Sequence, residues 1–177
     1  MNKILWNPNL DSKNNLEEFK NLINSKYALS LDSYQELYEW SVKNIPDFWN
    51  NVIAYSDIKY SGDSTTVLEN LAMKPGANWF PNISLNFAEN LLKERSNNLA
   101  IISKSENSDL IKITYNELYL KVAKLANSLK KLGIKPGDRI AAILPNSQEA
   151  VIAMLATTSI GAIWSSCSPD SGIASVT

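Results

Sequence analysis

The sequence contains no histidine and a single cysteine, Cys167. Without histidine, the chain lacks the commonest general base and the commonest zinc ligand, and it cannot form a Ser–His or Cys–His nucleophile pair. One cysteine excludes an internal disulfide framework and fits a reducing cytosol. Chemistry carried by these residues alone would therefore rest on carboxylates, lysines or backbone groups, and we expect no metal site.

Two further absences concern charge and long apolar segments. The chain has 17 basic and 18 acidic side chains with no basic block, which gives no electrostatic basis for binding nucleic acid or an anionic membrane. The longest apolar run, residues 150–164, is interrupted by Thr157, Thr158, Ser159 and Gly161 and is shorter than the roughly 20 residues that span a bilayer. The N-terminus also lacks the pattern of a secretory signal. We therefore expect a cytoplasmic chain with no membrane and no nucleic-acid partner.

The N-terminal third of the chain is rich in aromatic residues and predicts helices. Residues 16–24 and 33–45 place apolar side chains at helical spacing. Ser33 and Glu36 have the spacing of a capping box at the start of the second helix. Pro46 can begin a third helix, because a proline in the first turn removes no intrahelical hydrogen bond.

Residues 61–66, SGDSTT, superficially resemble a phosphate-binding loop. Such a loop needs several glycines and usually a lysine, whereas this segment has one glycine, no adjacent lysine and an aspartate that would repel phosphate. We therefore interpret it as a plain loop. A turn-rich connector follows at residues 74–82. Residues 84–95 then predict a fourth helix, with an inward-facing apolar side made of Leu85, Ala88, Leu91 and Leu92.

From residue 98 the pattern changes to short strands that alternate with helices, and we place a domain boundary between residues 97 and 98. The predicted elements are strands at 99–103 and 110–113, a helix at 114–132, a strand at 139–145, a helix at 148–161 and a strand at 162–167. Their β-β-α-β-α-β order predicts an α/β layered domain. Thr114 and Glu117 predict a capping box, and the apolar strand after Arg139 is typical of a strand buried in a parallel sheet.

The Ser-rich segment SSCSPDSG, residues 165–172, follows the last predicted strand. Open α/β sheets bind ligands beyond the carboxyl ends of their strands, so this segment is the best candidate for a binding loop. A purely structural turn, imposed by Pro169 and Gly172, explains the same residues equally well. We interpret Cys167 as a structural thiol, because there is no histidine to activate it.

Several motifs resemble the adenylate-forming acyl-CoA synthetase superfamily: TYNEL, KPGDRIAAILPN and EAVIAMLATTSIGA. Within it, WFPNISLNFAENLL (79–92) and GAIWSSCSPD (161–170) are more similar to acetoacetyl-CoA synthetases, also called acetoacetate–CoA ligases, than to acetyl- or propionyl-CoA synthetases. The resemblance begins at about Trp6 and implies the first quarter of such a ligase. It implies a helical N-terminal segment, residues 1–97, followed by the first β-α-β units of a truncated AMP-binding α/β domain, residues 98–177.

In that family, ATP converts the acid to an acyl-adenylate, and the thiol of CoA then attacks it. The resemblance thus implies ATP, Mg²⁺, CoA and acetoacetate as cofactors and substrates of the parent ligase. It places Ser168, Pro169 and Asp170 next to the CoA nucleotide, while Ser171 departs from a usual phenylalanine. No segment matches the family's phosphate loop or catalytic lysine, so we expect the isolated chain to be inactive. A fragment of an acetyl- or propionyl-CoA synthetase and a non-catalytic binding module remain alternatives.

Overall fold

A computed structural model describes residues 14–70, 76–106 and 109–172, which fall into two compact units, Met1–Ile83 and Ser84–Thr177. The helices are α1 Asn15–Tyr27, α2 Tyr34–Lys43, α3 Ile45–Tyr55, α4 Phe87–Leu91, α5 Tyr115–Lys131 and α6 Gln148–Ser159. The strands are β1 Ser61–Gly62, β2 Leu68–Glu69, β3 Asn78–Trp79, β4 Ile83–Ser84, β5 Leu99–Ser103, β6 Ile111–Thr114, β7 Arg139–Ile143 and β8 Ile163–Cys167. Within the described ranges, no helix is long and apolar enough to cross a bilayer. The domain boundary at residues 97 and 98 stays a prediction.

The three helices predicted for the first unit are present. The capping box of α2 is confirmed, since the Ser33 side chain accepts from the backbone of Glu36 while the Glu36 carboxylate accepts from the Ser33 N–H. The first turn of α3 contains Pro46, as expected.

Aromatic side chains form the core of the first unit, around the buried Phe19, Ile23 and Leu37. The Phe19 ring meets the rings of Phe48 and Tyr55 edge-on, with centroids 5.8 and 5.3 Å apart. Edge-to-face pairs of this kind contribute roughly 0.5–1.5 kcal/mol beyond the area that they bury. The aromatic residues of this unit therefore serve packing first.

The loop interpretation is confirmed for residues 63–66, whereas Ser61–Gly62 form the short strand β1. The Asp63 carboxylate accepts hydrogen bonds from both the backbone N–H and the hydroxyl of Thr65, so the segment folds around its own acidic side chain. The short strand β1 pairs with β4, and β2 pairs with β3 in antiparallel register, Leu68 opposite Trp79. The connector predicted at 74–82 includes β3, and its first two residues lie outside the described residues.

The second unit has the predicted β-β-α-β-α-β order. Strands β5 and β6 form an antiparallel pair with Leu99 opposite Thr114, and β7 and β8 form a parallel pair connected by α6. The capping box of Thr114 and Glu117 at the start of α5 is confirmed. The core lies where α4, α5, α6 and the strands meet, and its buried side chains include Ala88, Leu118, Val122 and Leu155.

Helix α4 is shorter than the sequence predicted. Asn86 is its N-cap, with extended backbone and a side chain that accepts from the N–H of Glu89, so Leu85 precedes the helix. Ala88 and Leu92 are buried as expected, whereas Leu85 and Leu91 are 55% and 50% exposed. The expected inward position of these two leucines is wrong, because the helix is too short for the assumed face to persist.

The expectation of a fully buried strand β7 is also wrong. Ile140 packs against the core, but Ile143 on β7 and Ile163 on β8 are 55% and 50% exposed. Among the residues that the structure describes, helices cover one face of this parallel pair only, so apolar side chains on the other face remain in contact with solvent.

Candidate functional site

The parallel pair brings two segments to the same edge. The register runs from Arg139 opposite Ile163 to Ile143 opposite Cys167, so both strands end together. One further hydrogen bond, from the Leu144 N–H to the Cys167 carbonyl at 3.2 Å, extends the pairing. Residues 144–147 and 168–172 therefore leave the sheet side by side, at the edge where open α/β sheets bind ligands.

The three predicted site residues lie together in one exposed turn after β8. The Ser168 hydroxyl oxygen accepts from the Asp170 N–H at 3.3 Å, and the hydroxyl donates to the Asp170 carboxylate at 3.2 Å. The Ser171 N–H donates to the Ser168 carbonyl at 3.0 Å, which closes the turn. Ser168 and Asp170 thus hold each other in place through local hydrogen bonds.

The charge of this turn limits what it can bind. The exposed Asp170 carboxylate is an acceptor, so it suits the hydroxyl groups of a ribose or an exocyclic amino group. A phosphate would be repelled by the same carboxylate. Pro169 adds a rigid apolar surface between the two polar side chains. These residues fit the nucleoside part of a nucleotide rather than its phosphates.

A cavity of about 270 Å³ lies at the ends of the neighbouring elements. It is lined by residues at the end of β5 and at the start of α6, among them Ile101, Ser103, Lys104, Asn146, Gln148 and Val151. Sequence reasoning missed this cavity. The predicted start of a helix at residue 148 marks one wall of the cavity, but this is a local feature and does not reveal that β5 ends opposite the helix.

The side chain at the N-cap of α6 does not accept a hydrogen bond from the helix, as N-cap side chains usually do. Ser147 is the N-cap, yet its hydroxyl donates to the Glu149 carboxylate at 2.6 Å rather than accepting from the helix. This hydrogen bond, followed by a second one from the Gln148 amide, lowers the pKa of Glu149. Glu149 is therefore charged at neutral pH beside the cavity.

Gln148 leaves one acceptor without a donor. Its side-chain Oε1 is buried and makes no hydrogen bond, the single such side-chain atom in the described part of the chain. A buried acceptor without a partner costs about 1–3 kcal/mol, so we expect a bound water or a ligand N–H or O–H at this position.

Other candidate groups add no reactive chemistry at this edge. Cys167 is half-buried and its Sγ lies 4.0 Å from the carbonyl oxygen of Ala142, so no activating base adjoins it. Over residues 14–70, 76–106 and 109–172, no cluster of three or more potential metal-ligating side chains occurs. The described site therefore offers binding groups and no complete catalytic set.

Two family models match the chain. The model described as "AMP-binding enzyme" matches residues 87–177, and the model "Acetyl-coenzyme A synthetase N-terminus" matches residues 34–91. The first of these covers β5 to β8 and the candidate loop.

Known synthetases match almost the whole of this chain. The chain is 41% identical over 174 residues to an acetoacetyl-CoA synthetase of Xenopus tropicalis, and 35% identical over 170 residues to one of Rhizobium meliloti. A malonamoyl-CoA synthetase of Penicillium aethiopicum is 36% identical over 178 residues. These matches cover 95–97% of this chain but only 25–26% of the relatives, so the chain spans about a quarter of their length.

A solved structure supports the same relationship. The acetoacetyl-CoA synthetase from Streptomyces lividans superposes with a TM-score of 0.90 at 35% identity, over 99% of this chain and 28% of that one. The resemblance to acetoacetyl-CoA synthetases is confirmed. So is the predicted fold class, a helical N-terminal segment followed by the first β-α-β units of an α/β domain.

Proposed function

Since the chain belongs to the AMP-binding enzyme family, we propose that it supplies the N-terminal part of an ATP-dependent ligase that joins acetoacetate to CoA through an acyl-adenylate. The observation that carries this proposal is the 41% identity to an acetoacetyl-CoA synthetase over 97% of this chain. ATP, Mg²⁺, CoA and acetoacetate as the ligase's small-molecule ligands, and a cytoplasmic location, belong to the same proposal.

The turn after β8 forms one wall of the CoA site in this proposal. Ser168 and Asp170 would contact hydroxyl or amino groups of the CoA nucleoside, and Pro169 would lie against its apolar surface. The exposed position of the turn and the acceptor character of Asp170 support this role. The 3′-phosphate and the diphosphate of CoA would need cations from elsewhere in the ligase.

Acyl-adenylate formation has separate requirements that the described residues do not meet. Departure of pyrophosphate needs backbone N–H donors, a lysine and Mg²⁺ around the phosphates. Residues 61–66 fold around Asp63 instead, and no other described segment gathers these groups. We therefore expect the 177-residue chain alone to give no acetoacetate-dependent ATP–pyrophosphate exchange above background.

A chimeric enzyme tests the proposal directly. Residues 1–177 would replace the matching segment of the Streptomyces lividans synthetase, with which they share their fold at a TM-score of 0.90. The expected result is formation of acetoacetyl-CoA by the chimera and none by the synthetase that lacks this segment. A chimera that melts cooperatively, like the parent, but forms no thioester would contradict the proposal.

The proposed role of the turn is tested in the same chimera. Ser168→Ala and Asp170→Ala together should raise the KM for CoA and leave the rate of ATP–pyrophosphate exchange unchanged, because exchange does not require CoA. A matched pair in the turn that precedes β7, at the opposite end of the strands, Lys135→Ala with Asp138→Ala, should change neither value. An unchanged KM for CoA in the first pair would remove the turn from the CoA site.

Acetate is a second candidate acid, because the model for the N-terminus of acetyl-coenzyme A synthetase matches residues 34–91. The two candidates differ in the substrate, and not in the reaction. To distinguish them, the natural gene product is expressed and its kcat/KM is measured with acetoacetate, acetate and propionate. The proposal requires the highest value with acetoacetate.

A further inference from the structure

The second unit contains a groove that runs along α5 beside α4, here called the α5 groove. Its volume is about 410 Å³, which lies within the range of pockets that hold a small organic molecule. The buried side chains of its floor are apolar, namely Leu92, Val122 and Ala126. Three charged side chains line its rim: Glu89, Arg95 and Lys130. The groove therefore combines an apolar surface with ionic groups.

Arg95 is held in a fixed position at one end of this groove. Its guanidinium carbon lies 3.2 Å from the centroid of the Tyr119 ring, and its Nε donates to the Leu92 carbonyl at 2.9 Å. The neighbouring acid, Glu94, instead accepts from the Ser96 hydroxyl. Within the described residues, Arg95 forms no ion pair and its terminal amino groups have no acceptor. The guanidinium therefore offers parallel N–H donors in a fixed plane.

The charges at the other end of the groove offset each other. Helices α5 and α6 end on the same side of the unit, because the segments that follow them share a hydrogen bond from the Gly137 N–H to the Gly161 carbonyl at 2.9 Å. Asn86, the N-cap of α4, also contacts the end of α6. Glu89, in the first turn of α4, therefore lies at the same end of the groove as Lys130, in the last turn of α5. Opposite charges at one end give little net attraction for an anion.

The length and charge of the groove together define a ligand. Tyr119, on which Arg95 stacks, and Lys130 are 11 residues apart, which is about 16 Å along α5. One uncompensated cation, a long apolar floor and a far end of little net charge fit a molecule with one anionic head and an apolar chain. We propose that the α5 groove binds an aliphatic monocarboxylate, with its carboxylate on Arg95 and its chain on the floor. This binding does not depend on the proposed ligase reaction.

Nitrogen NMR on the 177-residue chain tests the proposal, with octanoate as the probe. The chain has two arginines, Arg95 and Arg139, so ¹⁵N labelling gives two Nε–H signals, and Arg95→Lys assigns them. Octanoate should shift the Arg95 signal saturably and leave the Arg139 signal in place. Acetate should bind at least about tenfold more weakly, since each buried methylene of the chain contributes a factor of about four. Octan-1-ol should bind at least about fivefold more weakly, because it lacks the charge that Arg95 attracts.

Substitutions separate the binding of the head from the binding of the chain. Arg95→Ala should weaken octanoate binding at least about fivefold, as measured by the backbone amide signals of Val122 and Ala126. Arg139→Ala, at the other exposed arginine, should leave the affinity unchanged. Ala123→Leu fills the groove with a good helix former and should weaken binding without removing a charge.

Three results in the arginine experiments would overturn the proposal. They are no saturable shift of the Arg95 signal up to about 10 mM octanoate, equal shifts of both arginine signals, and equal effects of Arg95→Ala and Arg139→Ala. Octan-1-ol that binds as tightly as octanoate would also overturn it, because the groove would then be a purely apolar surface.

Discussion

Asn86 joins two helices that are far apart in sequence. Its side-chain oxygen accepts from the Glu89 N–H at 3.0 Å and caps α4. Its amide nitrogen donates to the carbonyls of Thr158 at 2.9 Å and Ser159 at 3.3 Å, at the end of α6. The Thr158 carbonyl also accepts from the Gly161 N–H at 3.1 Å, just beyond the helix, so the Asn86 amide adds to the hydrogen bonds of this helix end while its oxygen caps a helix start.

Three substitutions separate the two roles of Asn86. Asn86→Ser keeps an oxygen for the cap but cannot reach α6, and should cost about 1–3 kcal/mol, because the two hydrogen bonds that it loses contribute about 0.5–1.5 kcal/mol each. Asn86→Ala also loses the cap, which adds about 1 kcal/mol, for a total near 2–4 kcal/mol. Asn86→Asp keeps the cap but points a carboxylate at the negative end of α6, which adds about 0.3–1 kcal/mol to the cost of Asn86→Ser. Serine should therefore be the mildest replacement.

Urea denaturation measures this order, with two probes: the circular dichroism of the whole chain, and the fluorine NMR signal of Trp164 in a chain labelled with 5-fluorotryptophan. Trp164 is the tryptophan that lies in the second unit, and so reports on the unit that contains Asn86. With a urea m-value of about 1–3 kcal/mol/M, Asn86→Ala should lower the midpoint by roughly 1–2 M. Asn127→Ala, an exposed asparagine on α5, serves as the control and should change stability by less than about 0.5 kcal/mol. Equal midpoints for Asn86→Ala and Asn127→Ala, or an unchanged midpoint for Asn86→Asp, would refute the reasoning.

Three further predictions concern single positions. In thermal melts, Gly62→Ala should destabilise the chain much more than Gly137→Ala. Both glycines have a positive φ, 101° and 88°, which costs a substituted side chain about 1–2 kcal/mol. Only at Gly62 would the new Cβ also clash with a facing backbone carbonyl, that of Asn82. The hydrogen bond from the Asp32 backbone N–H is the main cause that lowers the pKa of Glu36 in the folded chain. The ionised Glu36 therefore stabilises the fold above the ordinary carboxyl pKa, and this contribution is lost as pH falls through the lowered pKa. Glu36→Gln cannot titrate, so its folding stability should fall less between neutral pH and about pH 3 than that of the unsubstituted chain. Urea midpoints measured across this pH range test the difference. Ser168→Ala, in an exposed turn, should change the unfolding free energy by less than about 0.5 kcal/mol, so that any change in the KM for CoA of the chimera reports on binding.

Half of the candidate site could be predicted from the sequence. The turn after β8 was predicted because a Ser-rich segment with Pro169 follows an apolar run, and this pattern is local. The cavity beside it was not, since Lys104 and Gln148 are 44 residues apart and come together only where β5 ends opposite α6. No periodicity or spacing connects residues at that separation.

The sequence by itself determined the order of the elements from residue 99 onward and the starts of α2 and α5. Ser33 with Glu36 and Thr114 with Glu117 act through neighbours three residues away, so their capping boxes follow from the local sequence. Only the tertiary structure decided which apolar side chains are buried, where a cavity lies between the end of β5 and the start of α6, and that Asn86 reaches the end of α6 across 72 residues. The physical reason is the range of the interactions. The hydrogen bonds of a capping box join residues three apart in the sequence, whereas the burial of a side chain depends on which distant segments of the chain pack against it.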